Sequence, residues 1–328
     1  MRLPLICAAV WLSIMNAAAE TPSPSEFAAR VRSGELAAEQ FDFAANGFWP
    51  SEATTRAQWR DATVAELVEG DGLSQGCAIQ DVAGIGALAW VGLAESALDD
   101  ASWRDAARAL RIEFDALNTL AEARANGRRD SAARQSSAGR YMDALGDAPS
   151  GVAREALQRV IRDQTFRAAY ISPPPRLPTL AREQWQTLVG AKLTAIDCDN
   201  TAWLEQQLSS ITWFDIPTFG RRVDNAAWLI AQHADRSPEL QHLVLQRLEA
   251  LSAGATNLRN VAFLWDRVAV AEGRPQRYGT QIHCRDGALQ ALNGVENEAL
   301  IDDRRAEMGL PSWEQYWTQM RGALSCAS

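Results

Sequence analysis

Lysine is almost absent from this chain. Of its 32 basic residues only Lys192 is a lysine, and every other one is arginine. Schiff-base or Ser–Lys catalysis would have to use Lys192, which sits in a plain helical stretch, Leu188-Val-Gly-Ala-Lys192, so that chemistry is set aside. Histidine is nearly as scarce, with His233, His242 and His283 the full set. No H-E-x-x-H pair and no C-x-x-C pair occurs, which argues against a zinc site; a site built from His233, Asp235 and His283 would lack ligand spacing of a known kind, and we expect no metal. S-x-x-K and P-loop patterns are missing too, and no cofactor is implied. Runs of alternating apolar and polar residues flanked by hairpin turns are not evident. Basic excess is lacking: 41 acidic residues outnumber the basic ones, for a net charge of −9, which argues against nucleic acid or an anionic membrane surface as partner.

One apolar run does occur, at the start. Arg2 precedes Leu3 to Met15, and Ala17-Ala18-Ala19 places small residues at the −3 and −1 positions of a cleavage site before Glu20. Residues 1–19 are therefore read as a signal peptide, and the mature protein as periplasmic or secreted. The run is short of the ~20 residues that a spanning helix needs, and no later stretch is long and apolar enough, so we expect no membrane insertion after cleavage. Cys7 lies inside the apolar run, too early for a lipid-modified end. An oxidising compartment makes the remaining four cysteines disulfide partners. Of three possible connectivities we favour Cys284–Cys326, which ties the last segment back, leaving Cys77–Cys198 as a bridge between halves. Closing the 284–326 loop is worth roughly 4 kcal/mol on the chain-entropy account.

What fills the chain is helix. The apolar fraction is 47% with 12 tryptophans, several at helical spacing and so read as core anchors. Ser51 to Gly70 has a polar start, an apolar stripe and a glycine stop. Ser102-Trp-Arg-Asp105 resembles a capping box opening a run to Asn126-Gly127. Between them Val82 to Leu98 carries one charge, Glu95, and three glycines, the pattern of a buried central helix. Further helices are expected over 152–170, 180–197, 200–210, 222–234, 238–252 and 257–272, with Ser237-Pro238-Glu239 as a strong helix start and Gly273 as a stop. The expected fold is all-α, in two packed helical regions with little or no β structure. By composition the obvious linker is Ser172-Pro-Pro-Pro-Arg-Leu-Pro178, which must be extended.

Polar residues of unusual density fall in short segments: Asp163-Gln164 with Arg167, Asp199-Asn200-Thr201 read as a helix opening, Gln232-His233-Ala234-Asp235 closing a helix, Asp266-Arg267 on an apolar helical face, and Gln276-Arg-Tyr278-Gly-Thr280-Gln281 as a turn. Taken in order, these segments, with Ile301-Asp-Asp-Arg-Arg-Ala-Glu-Met-Gly-Leu310, resemble a bacterial family of uncharacterised helical domains recognisable by Q-H-A-D and Y-G-T-Q signatures. The resemblance covers roughly residues 155–317. Thr212-Trp-Phe-Asp-Ile-Pro217 departs from that family's usual glycine before the aromatic. The resemblance implies a mostly helical domain and no reaction. It also places the proline stretch inside one unit, which moves the expected boundary to the Asp147–Gly151 break: an N-terminal helical region over 20–148 and a C-terminal domain over 149–328.

Two functional readings follow. In the first, the protein is an exported binding or interaction module, taking an unknown protein or small molecule in a polar groove of the C-terminal domain. Asp163, Gln164, Arg167, Asp199, Asn200, Asp266, Arg267, Gln276, Tyr278 and Gln281 are its candidate ligand-binding residues. In the second it is a metal-independent, hydrolase-like enzyme in which His233 is the general acid/base and Asp235 orients it. Each assignment has a structural counterpart: His233 as a capping or core histidine, Asp266 and Arg267 as members of an ion-pair network with Asp163, Arg167 or Asp199, and the Tyr278–Gln281 turn as a helix cap. Convergence on an open pocket would favour chemistry; burial with mutual satisfaction would make these motifs a structural lock.

Overall fold

The computed structural model describes residues 20–49, 51–68, 77, 79–133, 136–323 and 326. The expected leader, residues 1–19, and the glycine stop at Gly70 lie outside the described residues. Among the described residues there are thirteen α-helices and one short hairpin, so the all-α expectation holds. No helix among them is long and apolar enough to cross a membrane.

The N-terminal part contains α1 (Pro24–Arg32), α2 (Ala53–Val68), α3 (Ile79–Ser96) and α4 (Asp100–Ala125). The central-helix reading of the 82–98 stretch is met by α3, which buries Ala87, Ala89, Trp90, Val91, Leu93 and Ala94. One of its glycines sits at a close contact: a Cβ on Gly92 would stand 2.6 Å from Oε1 of Gln184. The capping box at the head of α4 sits three residues earlier than expected. Asp99 is the cap, its carboxylate accepting from the Ser102 N–H while the Ser102 hydroxyl accepts from the Asp99 N–H.

Next come α5 (Gly139–Met142), α6 (Gly151–Ile171) and α7 (Thr179–Leu208), then α8 (Ile216–Phe219), α9 (Arg221–Gln232), α10 (Pro238–Glu249) and α11 (Leu258–Ala271). The Ser150 hydroxyl caps α6 by accepting from the Ala153 N–H. Two helices were expected over 180–210, but α7 is one unbroken helix of 30 residues. Asp199 does not open a helix; its side chain is drawn to Arg159 instead. Ser237 likewise leaves Pro238 to start α10, and its hydroxyl donates to Glu205.

A two-stranded antiparallel hairpin follows, β1 (Ile282–Arg285) with β2 (Ala288–Ala291). Its turn, Asp286-Gly287, holds both residues at positive φ (52° and 77°), the arrangement a tight primed hairpin turn demands. The chain ends through α12 (Ile301–Glu307) and α13 (Trp313–Ala323). Both cysteine pairs have the expected connectivity, Cys77–Cys198 and Cys284–Cys326, with Cα separations of 5.4 and 5.6 Å. The first ties the segment ahead of α3 to the middle of α7; the second ties β1 to the stretch after α13.

Two hydrophobic cores form. One gathers Phe27, Phe43, Trp90 and Trp103 from the N-terminal helices with Phe166, Trp185 and Val189 from α6 and α7. The other gathers Leu157, Val160, Trp203, Phe214, Ile230 and Leu264. The early part of α7 therefore belongs to the first core and its late part to the second. The Asp147–Gly151 break separates sequence regions, while α6 and α7 weld the two cores together. Among the described residues seven tryptophans, Trp49, Trp90, Trp103, Trp185, Trp203, Trp213 and Trp265, are buried, as core anchors should be.

Candidate functional site

His233 is the C-terminal cap of α9, its N–H reaching the Leu229 and Ile230 carbonyls at 3.1 Å each. That places its ring against α6, where Asp163 is 1% exposed. The His233 Nδ1 lies 3.3 Å from one Asp163 oxygen. The same carboxylate accepts from Arg167 Nε at 2.7 Å and Gln164 Nε2 at 2.8 Å. Arg167 in turn donates from Nη2 to both oxygens of Asp197 on α7, at 2.7 and 2.9 Å. Asp163, Gln164, Arg167 and His233 are thus brought together in one polar cluster, and a further charged member, Asp197, was missed in the sequence.

Electrostatics divides the two carboxylates. Burial opposes the charge on Asp163, but His233, Arg167 and Gln164 together hold its pKa below the ordinary carboxylate value. Burial dominates at Asp197 and, despite Arg167 and with the nearby Asp163 charge adding to it, lifts the pKa to about 6. Asp163 is accordingly the permanent anion of the cluster and Asp197 the one that titrates under mild acid.

Asp235 does not face the imidazole. It accepts from Arg267 Nη1 at 2.5 Å and from Gln241 Nε2 at 3.2 Å. The carboxylate next to His233 Nδ1 is that of Asp163, contributed from another helix. His233, Asp235, Asp197, Thr201 and the Cys77–Cys198 bridge line a cleft of about 210 Å³. Asp235 also lines a second cleft of about 410 Å³ with Arg267, Gln241, Thr280 and Gln281. The two clefts share Asp235 in their walls and adjoin there, and together they are called the groove. Arg267 Nε, in the wall of the second cleft, is buried and makes no hydrogen bond.

The remaining candidates lie elsewhere. Asp199 and Asn200 both meet Arg159 Nη1, at 2.6 and 3.2 Å, on the side of α7 that faces α6. Asp266 is fully buried and accepts from the N–H groups of Arg277, Tyr278 and Thr280 and from the Thr280 hydroxyl, at 2.8 to 3.0 Å. Burial pushes its pKa up and these four bonds offset part of that. Gln276, also fully buried, donates to the Gln281 and Leu292 carbonyls and accepts from the Gln281 N–H, each at 2.7 Å. Arg305 of α12 seals the turn from outside, donating to the Tyr278 carbonyl at 2.5 Å. The Y-G-T-Q segment is therefore a lock that fastens the hairpin and α12 to α11. Asp266 has no ion pair with Asp163, Arg167 or Asp199; its partners are backbone amides and a hydroxyl. Tyr278 is buried against Trp265, and of this segment Thr280 and Gln281 reach the groove.

Asp163, Asp197 and His233 are also the one group among the described residues whose ligand atoms lie within 4.8 Å of one another, close enough to share a cation. Arg167 already bridges the two carboxylates, so its guanidinium supplies the positive charge a metal would bring, and an ion would have to displace it.

Comparison with curated proteins and with solved structures gave no match. Residues 152–326, which begin one residue into α6 and contain the cluster, the lock and the groove residues other than Cys77, match a family of unknown function, DUF6624. That span is more than half of the chain and reaches further at both ends than the motifs alone suggested, and the chain belongs to this family.

Proposed function

We propose that the protein is an exported binding module that takes a small polar solute in the groove around Asp235. The observation that carries this reading is Arg267, which lines the second cleft with Nη1 anchored by Asp235 and with Nε buried and without a hydrogen bond among the described residues. An unmet buried donor of this kind is costly, and a small shift of the side chain would bring it to a ligand acceptor in the cleft. His233, Thr280 and Gln281 add donors and acceptors along the same groove, which suits a hydroxylated or zwitterionic solute better than an apolar one. Export is supported by the leader-like sequence and by two disulfides, which persist in oxidising compartments. The acidic balance favours no nucleic-acid partner.

The test is a thermal-shift screen of the oxidised protein against amino acids and mono- and disaccharides, followed by calorimetry on Arg267→Met and His233→Gln. A solute that raises the melting temperature of the native protein and fails to do so in Arg267→Met supports the reading. No response across the panel, or responses indifferent to both substitutions, refutes it.

A second reading, acid–base catalysis on a bound solute, is favoured by the Asp163–His233 pair. A carboxylate on Nδ1 fixes the imidazole and leaves Nε2 as the proton-transferring atom. On this reading Asp163 is the orienting group and Asp235 holds Arg267. Hydrolysis of a panel member that falls steeply in both His233→Gln and Asp163→Asn, with binding retained, would place the protein among enzymes; binding without turnover keeps it a receptor.

A further inference from the structure

Away from the groove, the only lysine of the chain stands at the junction of two larger cavities. Lys192, half-buried on α7, lines a polar cavity of about 690 Å³ between α4, α6 and α7, and also an apolar pocket of about 620 Å³ bounded by α3, α4, α7 and the 31–39 segment. Asn118 and Ala195 line both as well, so the two spaces adjoin at Lys192. The apolar pocket is walled by Leu36, Ala83, Trp90, Phe114 and Leu188.

Charges in the polar cavity are otherwise matched. Arg162 spans both oxygens of Glu122 at 2.7 and 2.9 Å. Arg159 is held by Glu155, Asp199 and Asn200. Lys192 is different. Its Nζ lies 6.0 Å from the Phe166 ring and makes no hydrogen bond or ion pair among the described residues. Its charge reaches Glu122, whose oxygens are already taken by Arg162. Asp115 and Glu39 stand exposed at the rim of the apolar pocket, where water screens them.

We propose that this double cavity binds an amphipathic monocarboxylate, the apolar tail lying between Trp90, Phe114 and Leu188 and the carboxylate meeting Lys192. Of the two cations lining the apolar pocket, Arg111 is held by the Glu39 carbonyl and stacked on Trp90, which leaves Lys192 as the cation for a ligand with one anionic head and a hydrocarbon body. Its size is adequate, since each cavity falls within the ~300–1,000 Å³ range of small-molecule sites. The apolar pocket draws mostly on residues outside the family-matched segment, whereas the polar cavity is lined mostly from α6 and α7 within it.

Calorimetric titration of the oxidised full chain with dodecanoate, kept below micelle formation, reads this directly. We expect one saturable site per chain. Lys192→Gln should weaken it roughly tenfold, the scale of one partly buried charge pair, and Lys192→Arg should retain most of the affinity. Ala83→Trp, which fills the apolar pocket, should abolish binding. Gly86→Leu serves if that variant fails to fold, because a Cβ on Gly86 stands at an ordinary 3.9 Å from Ala191 Cβ. Circular dichroism and melting temperature establish that each variant is folded. Absence of saturable binding overturns the proposal, and so does binding that survives unchanged in Lys192→Gln or in the filled-pocket variant.

Discussion

Asp163 and Asp197 share one arginine yet depend on pH in opposite ways. Asp163 keeps its charge through Arg167, His233 and Gln164, and its folded pKa lies below the ordinary value. Its contribution to stability is present above that ordinary value and fades only as pH falls through the depressed one. Asp197 has a folded pKa of about 6 against 3.8 unfolded. Its contribution is therefore fully present below 3.8 and is lost as pH rises through about 6. Asp197→Asn removes that loss, so the stability of the variant relative to the native protein should climb between about pH 4 and 7. Melting curves across that range check the sign; a relative stability that falls with pH would mean Asp197 is ionised more easily in the fold than outside it. Asp163→Asn strands Arg167 and His233 beside a neutral amide and should cost roughly 3 kcal/mol by chemical denaturation. A loss of a few tenths would mean that the cluster is solvated.

Among elements, the Y-G-T-Q lock carries the clearest expectation. Asp266→Ala leaves three amides and a hydroxyl without an acceptor in a buried site, a loss of at least ~3 kcal/mol. Hydrogen exchange should report it at Tyr278 and Thr280 first, because their N–H groups point at the missing carboxylate. Unchanged protection there would show that the turn holds itself. The helices were legible in the sequence because apolar periodicity and caps agree along most of them. The continuity of α7 was not, since Asp197-Cys-Asp-Asn200 looks like a break and cap when tertiary partners are invisible. Asp197 was lost by the same misreading: in one unbroken helix it stands four residues before Thr201, whose hydroxyl donates to the Asp197 carbonyl at 2.7 Å. The hairpin could have been found from Asp286-Gly287, a strong turn signal obscured by strands of four residues each. The position of Asp163 against His233 had no local trace, because the two side chains belong to different helices 70 residues apart in sequence.

On the scale of the whole molecule, α6 and α7 run through both cores, and Cys77–Cys198 ties the segment ahead of α3 to α7. Cys77–Cys198 spans 121 residues and Cys284–Cys326 spans 42. On loop entropy alone the bridges are worth about 5 and about 4 kcal/mol respectively. Reduction should lower the melting temperature markedly, and Cys77→Ser with Cys198→Ser should hurt more than the other pair; equal melting of oxidised and reduced protein would contradict this. Cys77–Cys198 also lines the His233 cleft, so losing it should loosen the groove as well as the fold. The tie between His233 and Asp163 is the hinge of the functional reading, and nitrogen-15 NMR of the three histidines tests it most directly. The account predicts that neutral His233 carries its proton on Nδ1, that Asp163→Asn disturbs this tautomer and that Asp235→Asn leaves it in place. A proton on Nε2 in the native protein, or a tautomer indifferent to Asp163→Asn, would contradict it.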